Sequence, residues 1–436
     1  MRIMKLGPIR DPDAHRPLDW TFKGLAAAWD GLTPAEVRAT ETCLFDDGLM
    51  MPAATLKRSS VENNRRWMRQ FLAFSGALLA PHGKTTLAPA LFRQQAEDGA
   101  WAITAATAHH ARLYRRFGVS RIFLANQLIG AANIAWIIDE LAADPGFDFY
   151  CLVDSAAGVE QLADVAGQRG CKRELQLLVE MGRPGGRCGA RSVAEGLEVA
   201  RAVAAHAPLM SLVGVETFEG VAPSAANAVE SVRSMLEDTV ELARACEAEG
   251  LFSRRDILLS AGGSAFFDLA AAILADAALV SRTQLILRSG CYITHDDGTY
   301  ERLFEALRAR TPEADRFGPG LTGALQIWAH VQSVPQPNQL VCAFGRRDVG
   351  TETDMPKVVA WARPGDKAPR AAPPGLMITA MFDQHAVLSA PPGHGLSVGD
   401  MLGFGVSHPC TTFDKWRTLL LVDDHYVVED VLRTYF

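Results

Sequence analysis

Residues 256–290 read DILLSAGGSAFFDLAAAILADAALVSRTQLILRSG: an apolar run, a Gly-Gly turn, a helix-like segment and a second apolar run. Short apolar runs bounded by turn signals suit strands covered on both faces, and the intervening segment is long enough for a crossover helix. A strand–helix–strand unit of this kind builds a parallel sheet. The rhythm extends back through ALLAPHGK (77–84), AITAAT (102–107), RIFLAN (121–126), FDFYCLVD (147–154), ELQLLVEMG (174–182) and MSLVGVET (210–217) to join DILLSAGG (256–263) and QLILRSG (284–290). Helix candidates lie between them, such as 131–143 and 224–248, where apolar residues recur at spacings of three and four. Eight repeats predict a closed (β/α)8 barrel, with a doubly wound open sheet as the alternative.

On either side the texture changes. PAATLKR (52–58) is strand-like and precedes a helix expected from Ser59 to Ser75; a ninth strand has no place in the barrel and is expected outside it. Beyond about residue 311 Pro and Gly become dense, helical periodicity fades, and LMITAMF and TLLLVDD read as strands. The expected organisation is an N-terminal segment (1–58) joining the β domain, a cofactor-binding barrel (59–310) and a mainly β C-terminal domain with a metal site (311–436).

The chain has 436 residues, 48% of them hydrophobic and 21% charged, enough for two or three domains with a large core. Its net charge of −7, without a basic run, argues against nucleic acid or an anionic membrane as partner and for a small molecule. The opening MRIMKLGPIRDPDAHRP lacks the apolar stretch of a signal peptide, and a cytoplasmic address is expected. None of the eight cysteines forms a CxxC pair, so neither disulfides nor a four-Cys zinc site is expected. Most read as small buried hydrophobes, with Cys410 as the exception.

Barrel enzymes place reactive groups at the C-terminal ends of their strands. The first strand closes on Pro81-His82-Gly83-Lys84-Thr85-Thr86. Lys84 either reaches solvent or serves as a Schiff-base lysine, which needs a partly desolvated amine. The seventh ends in Ser260-Ala261-Gly262-Gly263-Ser264 before a helix, which is either an ordinary turn or a phosphate cradle of free backbone N–H groups. A lysine after the first strand and a phosphate cradle after the seventh are what pyridoxal phosphate requires. In the β domain, His408-Pro409-Cys410 presents an imidazole and a thiol two residues apart, either a packed histidine beside a buried cysteine or a metal pair; in extended chain both point the same way, and thiolate favours zinc over magnesium or manganese. His109-His110 are expected to be solvated or capping; His295-Asp296-Asp297 to form a turn, with metal ligation as the alternative; and Arg346-Arg347 to lie on a loop surface, with a grip on a substrate carboxylate as the alternative.

At these residues the sequence resembles the family of D-serine dehydratases and D-threonine aldolases, pyridoxal-phosphate enzymes of the alanine-racemase-like fold. The resemblance runs from about residue 50 to 415 through PAATLKRSSVENN, PHGKTT, ITAAT, IFLANQLIG, VEMGRPGGRCG, GVETFEG, LSAGGS, RSGCYITHD, DQHAVL and VGDMLGFGVSHPC. It implies that Lys84 carries the cofactor and that Gly262, Gly263 and Ser264 hold its phosphate, with Tyr292 nearby. His82, Gln127 and Arg187 fall where the family binds or lines the cofactor, and His408 and Cys410 match its metal pair. His-x-Cys favours the zinc-dependent dehydratase branch, since the aldolase branch tends to carry an aspartate at the second position. A homodimer is also implied.

Several positions depart from the family pattern. PHGKTTL lacks the second histidine of the family's PHxKTHK, Phe218 replaces the usual tyrosine in GVETFEG, LVCAF precedes Arg346 where relatives often show an aspartate, and Asp383-Gln384-His385-Ala386 stands for EHG. With Phe218 unable to donate, Glu216 is expected to supply a carboxylate to the ring nitrogen. CAFGRRDV suggests a subgroup loosely called amino-acid deaminases. The reading is a pyridoxal 5'-phosphate- and Zn2+-dependent deaminase of D-serine or a related D-3-hydroxy amino acid. An aldolase and a non-catalytic PLP-binding homeostasis protein are the alternatives.

Overall fold

Eight parallel strands, Leu78–Leu79, Ile103–Ala105, Arg121–Gln127, Asp148–Val153, Leu175–Met181, Met210–Thr217, Asp256–Ala261 and Arg282–Leu287, fall on the eight expected apolar runs in a computed structural model that describes residues 6–46, 48–221 and 227–436. From the second strand to the eighth they pair in sequence order, and the eighth pairs with the first through Leu78 opposite Ile286. Between the first and second, the Trp101 and Thr104 amides donate to the Leu79 and Pro81 carbonyls (2.6 and 2.9 Å), which closes the barrel. The runs are continuous because both faces are covered: every position of Met210–Thr217 is buried. Ala80, Phe123, Leu152, Leu178, Val213, Leu258 and Ile286 fill one shared apolar cluster. The crossover helices include Ala131–Ala143 and Ala228–Ala248; residues 224–226 of the second expected helix lie outside the described residues.

The first strand is only two residues long. Pro81 has no N–H to continue a ladder, and Lys84 therefore sits on the 3-10 turn Gly83–Thr85 beyond the strand rather than closing it.

By its contacts the chain divides into two compact units. Described residues from 6–9, 71–84 and 92–290 form the barrel unit, and those from 10–70, 85–91 and 291–436 form the other. This division differs from the expected 59–310 and 311–436 boundaries. It falls within the helix Arg58–Ser75, and residues 291–310 group with the β unit. The reason is aromatic packing: Trp67 meets Phe304 and Phe317 edge-on, with centroids 5.0 and 5.7 Å apart.

The second unit is built on a ten-stranded, mainly antiparallel sheet. Ala53–Lys57 lies inside it, antiparallel to Leu325–Gln336 and parallel to Thr418–Val422. Trp328, fully buried, packs against Phe45 and Tyr426 with centroids 5.0 and 5.2 Å apart. Its ring fills the space over Gly403, where a Cβ would lie 2.6 Å from the indole. Trp328→Ala empties a site closed on all sides and is expected to cost about 3–5 kcal/mol, read from the denaturant midpoint of the β unit; a loss below about 1 kcal/mol would contradict this packing. No helix among the described residues is long and apolar enough to cross a membrane.

Candidate active site

The C-terminal ends of the barrel strands gather charged and polar groups. Lys84 is exposed and makes no hydrogen bond or ion pair with the described residues. Gly83 sets its place: a Cβ there would lie 2.6 Å from both Phe92 Cζ and Tyr114 Oη, two buried rings in edge contact. Burial first, then the positive charges of Lys84 and Arg288, hold His82 well below the ordinary imidazole value, so its ring is neutral.

Glu216, near the end of the sixth strand, is 1% exposed and ion-paired with Arg288. Arg288 also donates to Ser260 Oγ (2.6 Å) and to the Thr217 carbonyl (3.2 Å). Glu216 Oε2 has no hydrogen-bond partner, an orphaned buried oxygen with the chemistry to accept from a protonated ring nitrogen. Burial pushes its pKa up to about 8; Arg288 opposes the shift, while Glu180 and Glu219 add to it. Glu180 stands opposite Glu216 in the neighbouring strand and accepts a hydrogen bond from Gln127 Nε2. Arg187 is exposed and stacks over Phe218, 4.9 Å from the ring centroid.

A carboxyl raised by folding from 4.5 to about 8 keeps a proton that the unfolded chain releases. Its contribution to stability is complete below 4.5 and is lost as the pH rises through about 8. Glu216→Gln should therefore flatten the fall in melting temperature of the cofactor-free protein across that window. Parallel curves for the two proteins would remove Glu216 from the account.

The Gly262-Gly263 loop requires a correction. Its two amides, expected to be free for a phosphate, donate to the Glu219 carboxylate, at 3.1 Å for Gly262. Glu219 is fully buried and belongs to the GVETFEG segment. Ser289 Oγ donates to both glycine carbonyls (3.2 and 2.7 Å), and Gly262 has a φ of +86°, which glycine adopts without strain. The loop's amides are thus occupied by the chain's own carboxyl group, whose pKa burial raises; a phosphate there must replace Glu219 or bind beside it, next to the half-buried Ser264.

In the second unit the ligating atoms of Cys291, His408 and Cys410 all lie within 4.8 Å of one another. The two sulfurs are 3.5 Å apart, and Thr85 Oγ1 is 3.9 Å from Cys291 Sγ and 3.5 Å from Cys410 Sγ. Glu352 Oε1 stands 2.7 Å from His408 Nδ1, an ion-pair contact without hydrogen-bond geometry. His408 and Cys410 come together differently from the expectation. Pro409 is helical (φ −69°, ψ −34°) and Cys410 opens the short helix Cys410–Phe413, so a turn rather than an extended chain aims both inward. Cys291, read from sequence as a small hydrophobe, is a correction of a second kind: it belongs to the cluster. Tyr292 is buried in the same turn, Cys291–Ile293. Asp296 accepts from the amides of Gly298, Tyr300 and Glu301 and caps the following helix. Arg346 and Arg347 are exposed, as is His109, while His110 stacks on Tyr114.

The family described as "Putative serine dehydratase domain" matches residues 324–422, which include His408 and Cys410. A D-threonine aldolase from an Arthrobacter species is 25% identical over 87% of this chain and 90% of its own. Part of the chain thus matches the serine dehydratase domain, and most of it is similar to a D-threonine aldolase. Two solved structures share the chain's fold. D-threonine aldolase from Filomicrobium marinum (TM-score 0.70, 19% identity) matches over 88% of this chain and 95% of its own. D-threo-3-hydroxyaspartate dehydratase from a Delftia species (TM-score 0.67, 18% identity) matches over 88% and 97%, and a cysteine-to-alanine variant of it has been solved in a metal-free form.

Of the dehydratase–aldolase residues expected from sequence, Lys84, His82, Gln127, Glu216 and the Gly262–Ser264 loop lie at the strand ends of the barrel unit. Arg288, Glu219 and Cys291 were not expected. A cavity of about 750 Å³ opens instead at the opposite mouth, lined by Arg121, Asp256 and Arg282, the residues that begin their strands. Three of its arginines are already paired, Arg121 with Asp148, Arg254 with Glu174 and Arg282 with Asp256.

Proposed function

We propose that this chain is a lyase that uses pyridoxal 5'-phosphate and zinc to deaminate D-serine or a related D-3-hydroxy amino acid, giving a 2-oxo acid and ammonia. The observation that carries the reading is the inward-facing donor set at His408 and Cys410, soft enough to prefer zinc. The orphaned Glu216 oxygen and the unpartnered Lys84 amine fit the cofactor, and the relatives' names place 3-hydroxy D-amino acids among their substrates.

Lys84 would hold the cofactor through Nζ and, once released by the substrate's amine, take the α-proton there. Glu216 Oε2 would keep the ring nitrogen protonated, with Arg288 fixing the carboxyl's orientation. Gly262, Gly263 and Ser264 would hold the phosphate as Glu219 yields its amides, with Tyr292 nearby; His82, Gln127 and Arg187 would line the ring. When bound, the cofactor supplies a sink for the charge that develops on the α-carbon. His408 and Cys410 would hold the zinc whose Lewis acidity makes the β-hydroxyl a better leaving group.

Aldol cleavage is the second reading, favoured by the aldolase that aligns along most of this chain. D-threonine separates the two: elimination yields 2-oxobutanoate and ammonia, whereas cleavage yields glycine and acetaldehyde. A product assay with and without added zinc is expected to show the first pair; the second pair would replace the dehydratase reading with the aldolase.

A further inference from the structure

We infer that Cys291 is a third protein ligand to the metal, making a Cys2His site with a single open position. The inference rests on the metal reading above and adds a residue outside the matched 324–422 segment.

Distance argues first. In a tetrahedral site with metal–sulfur bonds of about 2.3 Å, two thiolates stand about 3.8 Å apart along one edge. The Cys291 and Cys410 sulfurs are 3.5 Å apart, near that edge and far from a bonded pair at about 2.05 Å. The His408 ligating nitrogen lies within 4.8 Å of both sulfurs, so the three atoms outline one face of such a tetrahedron.

The surroundings hold these atoms in place. Cys291 is 5% exposed in the turn Cys291–Ile293, and Cys410 begins a helical turn. Thr85, 1% exposed, has its hydroxyl beside both sulfurs. Glu352 places a carboxylate oxygen 2.7 Å from His408 Nδ1, an ion-pair contact at the edge of the cluster. Two segments distant in sequence, the turn at Cys291 and the His408–Cys410 stretch, thus bring three donors to one point.

Three ligands do different work from two. Two thiolates and a neutral imidazole balance the charge of a divalent ion, select zinc or cobalt over manganese or magnesium, and leave one position for a substrate oxygen. With His408 and Cys410 alone, at least two positions would be open and harder cations would compete.

The test is cobalt binding under reducing conditions, followed by absorbance and chelator competition without any assay of turnover. Each thiolate contributes to the sulfur-to-cobalt charge-transfer band. Cys291→Ala should therefore halve the band and weaken retention of cobalt at least about tenfold, with an unchanged melting curve as evidence of folding. Cys291→Ser, which keeps the side-chain volume, provides the same comparison if the alanine variant does not fold. A wild-type band of single-thiolate intensity, or one unaltered by losing Cys291 yet lost in Cys410→Ala, overturns the assignment while leaving the His408–Cys410 reading intact. Failure of the wild-type protein to bind cobalt or zinc overturns both.

Discussion

Lys84→Ala should bind pyridoxal phosphate without covalent attachment and lose activity by at least about 10²–10⁴-fold, the contribution of a positioned general base. Lys57 is engaged with Asp424, Lys357 with Glu301 and Lys23 with Asp348, whereas Lys84 lies open on the turn beyond the barrel's first strand. Borohydride reduction of the wild-type protein followed by peptide mapping should put the pyridoxyl label on Lys84. A label on any other lysine removes this residue from the chemistry and the proposed function with it. Gly83→Ala offers a gentler version: the added methyl meets Phe92 and Tyr114, and overpacking of this kind costs about 1–3 kcal/mol while displacing the neighbouring lysine.

Cys410→Ala, or treatment with a chelator, is expected to abolish elimination while the bound cofactor keeps its absorbance. The proposed contacts at Lys84, Glu216, Gly262, Gly263 and Ser264 come from barrel residues that the substitution does not alter. A metal acting as Lewis acid supplies several kcal/mol, and each 1.36 kcal/mol is worth a factor of ten, so turnover should fall by about 10³-fold and return with zinc in the chelated enzyme only. Full activity in Cys410→Ala would make the cluster structural. Zinc dependence coupled to glycine as product would keep the metal and change the reaction.

The barrel was legible because strands covered on both faces must be apolar throughout, and eight such runs stand out at regular intervals. The shortening of the first strand could have been seen at Pro81. What the sequence concealed depends on distance along the chain. Cys291 and Cys410 are 119 positions apart, so no spacing rule joins them, and a cysteine after an apolar strand looks like any small core residue. Glu219, in a Phe-Glu-Gly stretch, reads as a surface turn; only the fold shows it buried and bonded to Gly262 and Gly263. Arg288 reads as a strand-end charge and proves to be the partner of Glu216. His408 and Cys410 were found by residue type, although the backbone that aims them is a turn.

The strand Ala53–Lys57 has a consequence for biosynthesis. It leaves the ribosome early, but its neighbours are Leu325–Gln336 and Thr418–Val422, and Thr55 meets Leu420. All eight barrel strands are translated before either neighbour exists. The nascent chain can therefore complete its barrel while the strand that organises the β unit still has unpaired edges, and such edges invite intermolecular pairing. Slow translation between residue 57 and residue 325 prolongs the exposure of both edges of this strand, and slow translation from there to residue 418 prolongs that of one edge.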